Sequence, residues 1–250
     1  MLWLPHRSPV PPREQAWIEK MLGWCVERIG EPALRGPVVE PTAAFFPEPY
    51  TGSPADALRV VDRVRALMGI GADRVEVELT VDGMSCDLAG MPPHRTRRAI
   101  VAGHYERRGD RGLIRIDPAQ ARDAPRLVAV AAHELCHELL LGRGGLPGAD
   151  GEDHEPLTDL LTVYTGFGIF TANAAFRFES YRAGGWRTRT LGYLNAPMFG
   201  YALACYAWLR GERRSPEWAG YLDANPQGYM RQGARYLAAN GPSPALASKR

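Results

Sequence analysis

The sequence predicts an α+β protein: helices, then a small sheet beside one apolar helix, then a mainly helical C-terminal half. Three observations carry this. Alternating, β-rich segments are confined to residues 74–117. Apolar residues at helical spacing flank them on both sides. From Glu155 onward Trp, Tyr, Leu and Ala recur with no strand pattern. Segregated strands and helices point to α+β rather than to alternating β–α units. The chain 1–250 reads as a single domain in two lobes, helices and sheet over about 13–142 and a helical lobe over about 155–250.

Each element has a local reason. Residues 1–12 are proline-rich and expected to be extended. Glu14 to Ile29 carries Trp17, Met21, Trp24, Cys25 and Ile29 at helical spacing and stops at Gly30. Residues 31–54 hold six prolines and form an irregular connection anchored by Phe45, Phe46 and Tyr50. Ser53-Pro54-Ala55-Asp56 is a helix start, with serine as cap and proline in the first turn. That helix runs to about Met68, and "RVEVELTV" (74–81) is a strand ended by Asp82-Gly83. "AIVAGHY" (99–105) and "LIRID" (113–117), joined by a charged glycine turn, predict a hairpin. A helix from about Asp123 to Gly142, a glycine-rich and acidic loop to residue 153, and helices over about 156–170, 195–210 and 226–240 complete the chain.

Composition excludes several classes. The net charge of +2 gives no case for a nucleic-acid binder, and clusters such as Arg95–Arg98 and Arg107-Arg108 are read as solvated. Arg177, Arg182, Arg187 and Arg189 form a basic segment read the same way. The four cysteines, Cys25, Cys86, Cys136 and Cys205, are scattered without a CxxC pair, which predicts reduced thiols and a cytoplasmic protein. The N-terminus lacks a secretory pattern. Residues 157–176 are interrupted by Asp159 and residues 196–209 are too short to span, so no membrane association is expected.

"AVAAHELCHELLLG" (129–142) holds the chemistry. It is an apolar helix carrying His133, Glu134, Cys136, His137 and Glu138. Residues four apart share a helix face, so His133 and His137 can direct both imidazoles at one point. Glu134 lies about 100° round the helix, placed to reach a water there rather than to act as an equivalent ligand. Two neutral nitrogens plus a carboxylate base suit zinc-activated hydrolysis. A catalytic zinc takes a third protein ligand, and Glu155, Asp159 and His154 in "HEPLTDLL" are the candidates. Cys136 is read as a small apolar filler.

This pattern resembles the gluzincin metallopeptidases, whose best-known members are the thermolysin-like enzymes. There an HExxH helix is followed by a second helix bearing a glutamate ligand, and an aspartate four residues later orients the first histidine. Matched here over roughly 99–165, the resemblance implies a zincin-like fold with the small mixed or antiparallel sheet packed on the HExxH helix. It implies zinc held by His133, His137 and Glu155, Glu134 as general base, and Asp159 bonded to a ligating imidazole. An acid among Leu157, Leu160, Leu161 and Val163 fits that last role. Asp159 or His154 stays open as the alternative ligand.

The expected function is a zinc metallopeptidase acting on a peptide or protein. In zincins an edge strand beside the active helix binds extended substrate, which implies that role for "LIRID" or "AIVAGHY". His104, at the end of the latter, is read as solvent-facing. Tyr164, Tyr181, Tyr193, Tyr201 and Tyr229 are the pool for an oxyanion-stabilising phenol, with none singled out. That gap and the large helical half support the alternative, a metal-stabilised zincin-fold scaffold or partner-binding protein without peptidase activity.

Overall fold

The computed structural model describes residues 7–80, 102–142, 154–180 and 194–247. Its helices are α1 (Pro12–Arg28), α2 (Glu31–Arg35), α3 (Pro54–Leu67), α4 (Ala124–Leu141), α5 (His154–Tyr164), α6 (Gly168–Ser180), α7 (Ala196–Leu209), α8 (Ala224–Asn240) and α9 (Pro244–Ala247). The strands are β1 (Val75–Leu79), β2 (Gly103–Arg108) and β3 (Arg111–Ile116). The protein is α+β with a small mixed sheet. Among the described residues no helix is long and apolar enough to cross a membrane.

The chain forms two compact units, Glu48–Pro147 and, together, Met1–Pro47 with Gly148–Arg250. The lobes expected from sequence order grouped the first helices with the sheet. In the structure α1 packs instead with α5, α7 and α9. Its buried face, Ile18, Leu22 and Cys25, matches an all-helical core.

In the unit Glu48–Pro147, α3 starts as its sequence dictates, with the Ser53 hydroxyl accepting from the Asp56 amide at 3.2 Å. Strand order is β1-β3-β2. β1 runs parallel to β3, with Val77 opposite Ile114. β2 and β3 form the expected hairpin, with Tyr105 opposite Ile114 and a Gly109-Asp110 turn between Arg108 and Arg111. Gly109 sits at φ +63°, the left-handed backbone such a two-residue turn favours. "LIRID" thus lies in the middle of the sheet, its edges taken on both sides, which corrects its expected role as a substrate-binding edge. The second expected strand begins at Gly103, and residues 99–101 lie outside those described. So do the Asp82-Gly83 turn, Cys86 and the glycine-rich loop.

Helix α4 packs on α3, β2 and β3. Asp123 caps it, its carboxylate accepting from the Arg126 amide at 3.2 Å. Leu127, Val130, Ala131, Leu135 and Leu140 are buried with Ile114 and Ile116 of β3. Each large aliphatic side chain so buried contributes about 1.5–3 kcal/mol, which offsets the cost of the polar residues on this helix.

In the helical unit, the single helix expected over 156–170 is two helices. Gly166 adopts φ +89°, its amide bonds Val163 O at 3.1 Å, and the Phe167 amide bonds Thr162 O at 2.8 Å. This terminates α5, and α6 follows. A side chain at Gly166 would collide with Pro37 O, at 2.5 Å from an added Cβ. Helices α7 and α8 cross closely, because Cβ atoms at Gly200 and Gly233 would meet Tyr229 and Ala204 at 2.4 and 2.9 Å. Phe46 packs edge-on against Phe170 at 5.9 Å, while Tyr50, in the other unit, donates to Ala121 O at 2.6 Å.

Candidate metal centre

Helix α4 brings His133 and His137 together as four-residue spacing requires. Their ring centroids lie 4.9 Å apart, with planes at 82°. His137 is buried and His133 half-buried. Two imidazoles this close, one turn apart, present nitrogen donors to a common point.

The two acids of α4 face the sheet, and the sheet is bare where they meet it. An added Cβ at Gly103 would lie 2.6 Å from Glu134 Oε1. One at Gly112 would lie 2.7 Å from Glu138 Oε2 and 2.6 Å from the Tyr105 ring. Glycine inside a strand weakens it, and here it admits a carboxylate. Glu134 is 6% exposed and Glu138 2% exposed. Burial of a carboxylate is costly unless it is paired. Glu138 is paired: Arg74 donates to Oε1 from Nη2 at 2.6 Å and from Nε at 3.1 Å, and Tyr105 donates to Oε2 at 2.7 Å. The Tyr105 ring stacks on His137, with centroids 5.9 Å apart and planes at 20°. Burial pushes the Tyr105 phenol well above its ordinary value, reinforced by its bond to Glu138 and that carboxylate's charge.

The structure places the remaining expected residues as follows. Glu155 stands in the first turn of α5 and is half-buried. Asp159, one turn on, is buried, and its Oδ2 accepts from the Leu194 amide at 3.0 Å. His154 opens α5. Cys136 is fully buried, as an apolar filler should be. Tyr164 donates to Gly30 O at 2.9 Å and Tyr201 to Glu19, so both hydroxyls serve the fold. Tyr229 lies against Gly200 in the α7–α8 crossing. Tyr181, Tyr193 and Arg182, Arg187 and Arg189 lie outside the described residues.

Sequence reasoning missed Arg74, Tyr105 and Glu138 as a unit. Two signals were present: a second acid four residues after Glu134, and a glycine inside each hairpin strand.

No family model, curated protein or solved structure gives a significant match to the chain.

Proposed function

We propose that this protein is a zinc-dependent hydrolase of peptide (amide) bonds. The observation that carries the reading is the convergence of His133 and His137, at 4.9 Å between rings, on a helix that also buries Glu134. The donor chemistry supports it further. His133, His137 and Glu155 offer two imidazole nitrogens and one carboxylate oxygen, a set that could hold a metal ion. Two histidines and one carboxylate with room for a water is a catalytic zinc set, whereas closed four-ligand sets are structural.

The residues then divide the work. His133, His137 and Glu155 would hold the ion, which when bound would supply Lewis-acid polarisation of the scissile carbonyl and acidify a water. Glu134 would take a proton from the attacking water and pass it to the leaving amine.

The test is a proteome-derived peptide cleavage profile, wild type against Glu134→Gln, with metal content measured on both. About one zinc per chain in each, with cleavage in wild type alone, is the expected result. Metal-free protein whose stability is untouched by His133→Ala sinks the metal site. Zinc in both with no Glu134-dependent cleavage sinks the peptidase and leaves the scaffold.

A further inference from the structure

We infer that Arg74, Tyr105 and Glu138 are positioning residues for the metal ligand His137; this rests on the metal reading above. The ring that stacks on His137 belongs to Tyr105, and nothing in a stack alone fixes where that ring sits along the imidazole. Its hydroxyl does: it donates to Glu138 Oε2 at 2.7 Å, and Arg74 holds the other carboxylate oxygen from two nitrogens, at 2.6 and 3.1 Å. The carboxylate is 2% exposed, and Gly112 leaves space on the sheet for both it and the ring. Glu138 also follows His137 directly on α4, so one turn of helix carries both the ligand and the anchor of the residue that braces it. A surface arginine pair would not need such burial. A core-packing tyrosine would not need a buried ion pair to receive its hydroxyl.

A brace of this kind raises metal affinity by fixing a ligand ring before the ion arrives, and loss of such an outer partner weakens binding about tenfold to a hundredfold. It also explains the two acids of α4 as different parts, Glu134 for proton transfer and Glu138 for geometry.

Zinc affinity of the full chain, measured by competition with a chromophoric chelator, tests this alongside the visible absorption of the Co²⁺-loaded protein. Tyr105→Phe keeps the ring over His137 and removes the hydroxyl; Tyr105→Leu removes both. The expected result is zinc binding weakened about tenfold in Tyr105→Phe and further in Tyr105→Leu. The Co²⁺ bands should shift, and metal-free Tyr105→Phe should still fold, with a melting temperature lowered only by the loss of one bond to the buried Glu138 carboxylate. Glu138→Gln should weaken zinc binding in the same direction. Wild-type affinity and unchanged Co²⁺ bands in both Tyr105→Phe and Glu138→Gln overturn the brace while leaving the metal site standing. A wild-type chain that binds no zinc overturns the metal reading and the brace with it.

Discussion

Two buried glutamates, one in each unit, solve the same problem in opposite ways. Glu138, in the unit with the sheet, is answered by a full charge: Arg74 on one oxygen and a tyrosine hydroxyl on the other. Glu19, in the helical unit, is 0% exposed and its hydrogen bonds come from neutral donors. Its Oε1 accepts from the Tyr201 hydroxyl and from Gln15 Nε2 at 3.1 Å, and its Oε2 from the Ser243 amide at 2.6 Å. Burial pushes the Tyr201 phenol strongly upward, as the nearby Cys205 and Glu19 also do. The Glu19 cluster ties α1 to α7 and to the segment before α9. A charge-paired acid stacked through tyrosine onto an imidazole has a directional task; one ringed by neutral donors from three elements is a clamp.

The clamp should break hardest. Glu19→Ala leaves the Tyr201, Gln15 and Ser243 donors without their acceptor at a site with little access to water. Each orphaned buried donor costs about 1–3 kcal/mol, so a loss of about 4 kcal/mol is expected in denaturant unfolding. A loss under about 1 kcal/mol would mean that water reaches the cluster and that the comparison is false. Arg74→Met comes next, at about 2–3 kcal/mol, below the full range for a broken buried pair because Arg74 is 33% exposed. Here the two acids must part company. Adding Glu138→Gln to Arg74→Met should restore stability, since it removes the stranded charge. Glu19→Gln has no stranded cation or anion to relieve, and it places an amide N–H₂ against existing donors, so it should only destabilise. If the double variant is worse than Arg74→Met alone, Glu138 is not held by charge.

What the sequence made legible follows from how local each signal is. The Ser53 cap, the helix start near Asp123, the hairpin turn and the His133–His137 spacing depend on a few neighbouring residues, and all are present in the structure. The break between α5 and α6 was also written locally, in Gly166, but the largely apolar stretch over 157–176 masked it. The brace on His137 is not local: Arg74, in the turn before β1, and Tyr105, on β2, are 64 and 33 residues from Glu138 on α4, the acid they share. Periodicity reports which face is buried, and not which buried polar groups find each other. The sequence grouped α1 with the sheet rather than with the helical unit for the same reason, since an apolar stripe does not name its partner.

Gly112→Ala sharpens the difference at smaller cost. The new methyl group would meet the Tyr105 ring at 2.6 Å and Glu138 Oε2 at 2.7 Å, so the braced pair must shift together. About 1–2 kcal/mol of overpacking is expected, accompanied by weaker zinc binding. Gly220→Ala, where an added Cβ meets nothing within 4 Å, is the matched control and should do neither. Weakened zinc binding without lost stability would also support the brace; lost stability with normal zinc binding would reduce Gly112 to a packing residue.

The smallest effect concerns an acid that is neither clamp nor brace. Asp56, in the first turn of α3, accepts from the Thr51 hydroxyl at 2.6 Å and the Thr51 amide at 2.9 Å, and pairs with Arg59 at 2.5 Å. The Thr51 bonds first, then Arg59, hold its carboxyl well below the usual carboxylate range. The folded state therefore binds this proton less readily than the unfolded chain, whose aspartates titrate near about 3.9. Its contribution is complete above that value and is lost as the pH falls below it toward the depressed folded value. Urea midpoints of wild type and Asp56→Asn should differ by a constant amount from neutral pH down to about pH 5, and the gap should close progressively below about pH 4. Thr51→Val should show the same closing gap, because it removes the strongest of the bonds that keep the carboxylate ionised. A gap that stays constant as the solution is acidified would mean that Asp56 acts by shape alone, as a first-turn residue of α3, and that its charge adds nothing to the fold.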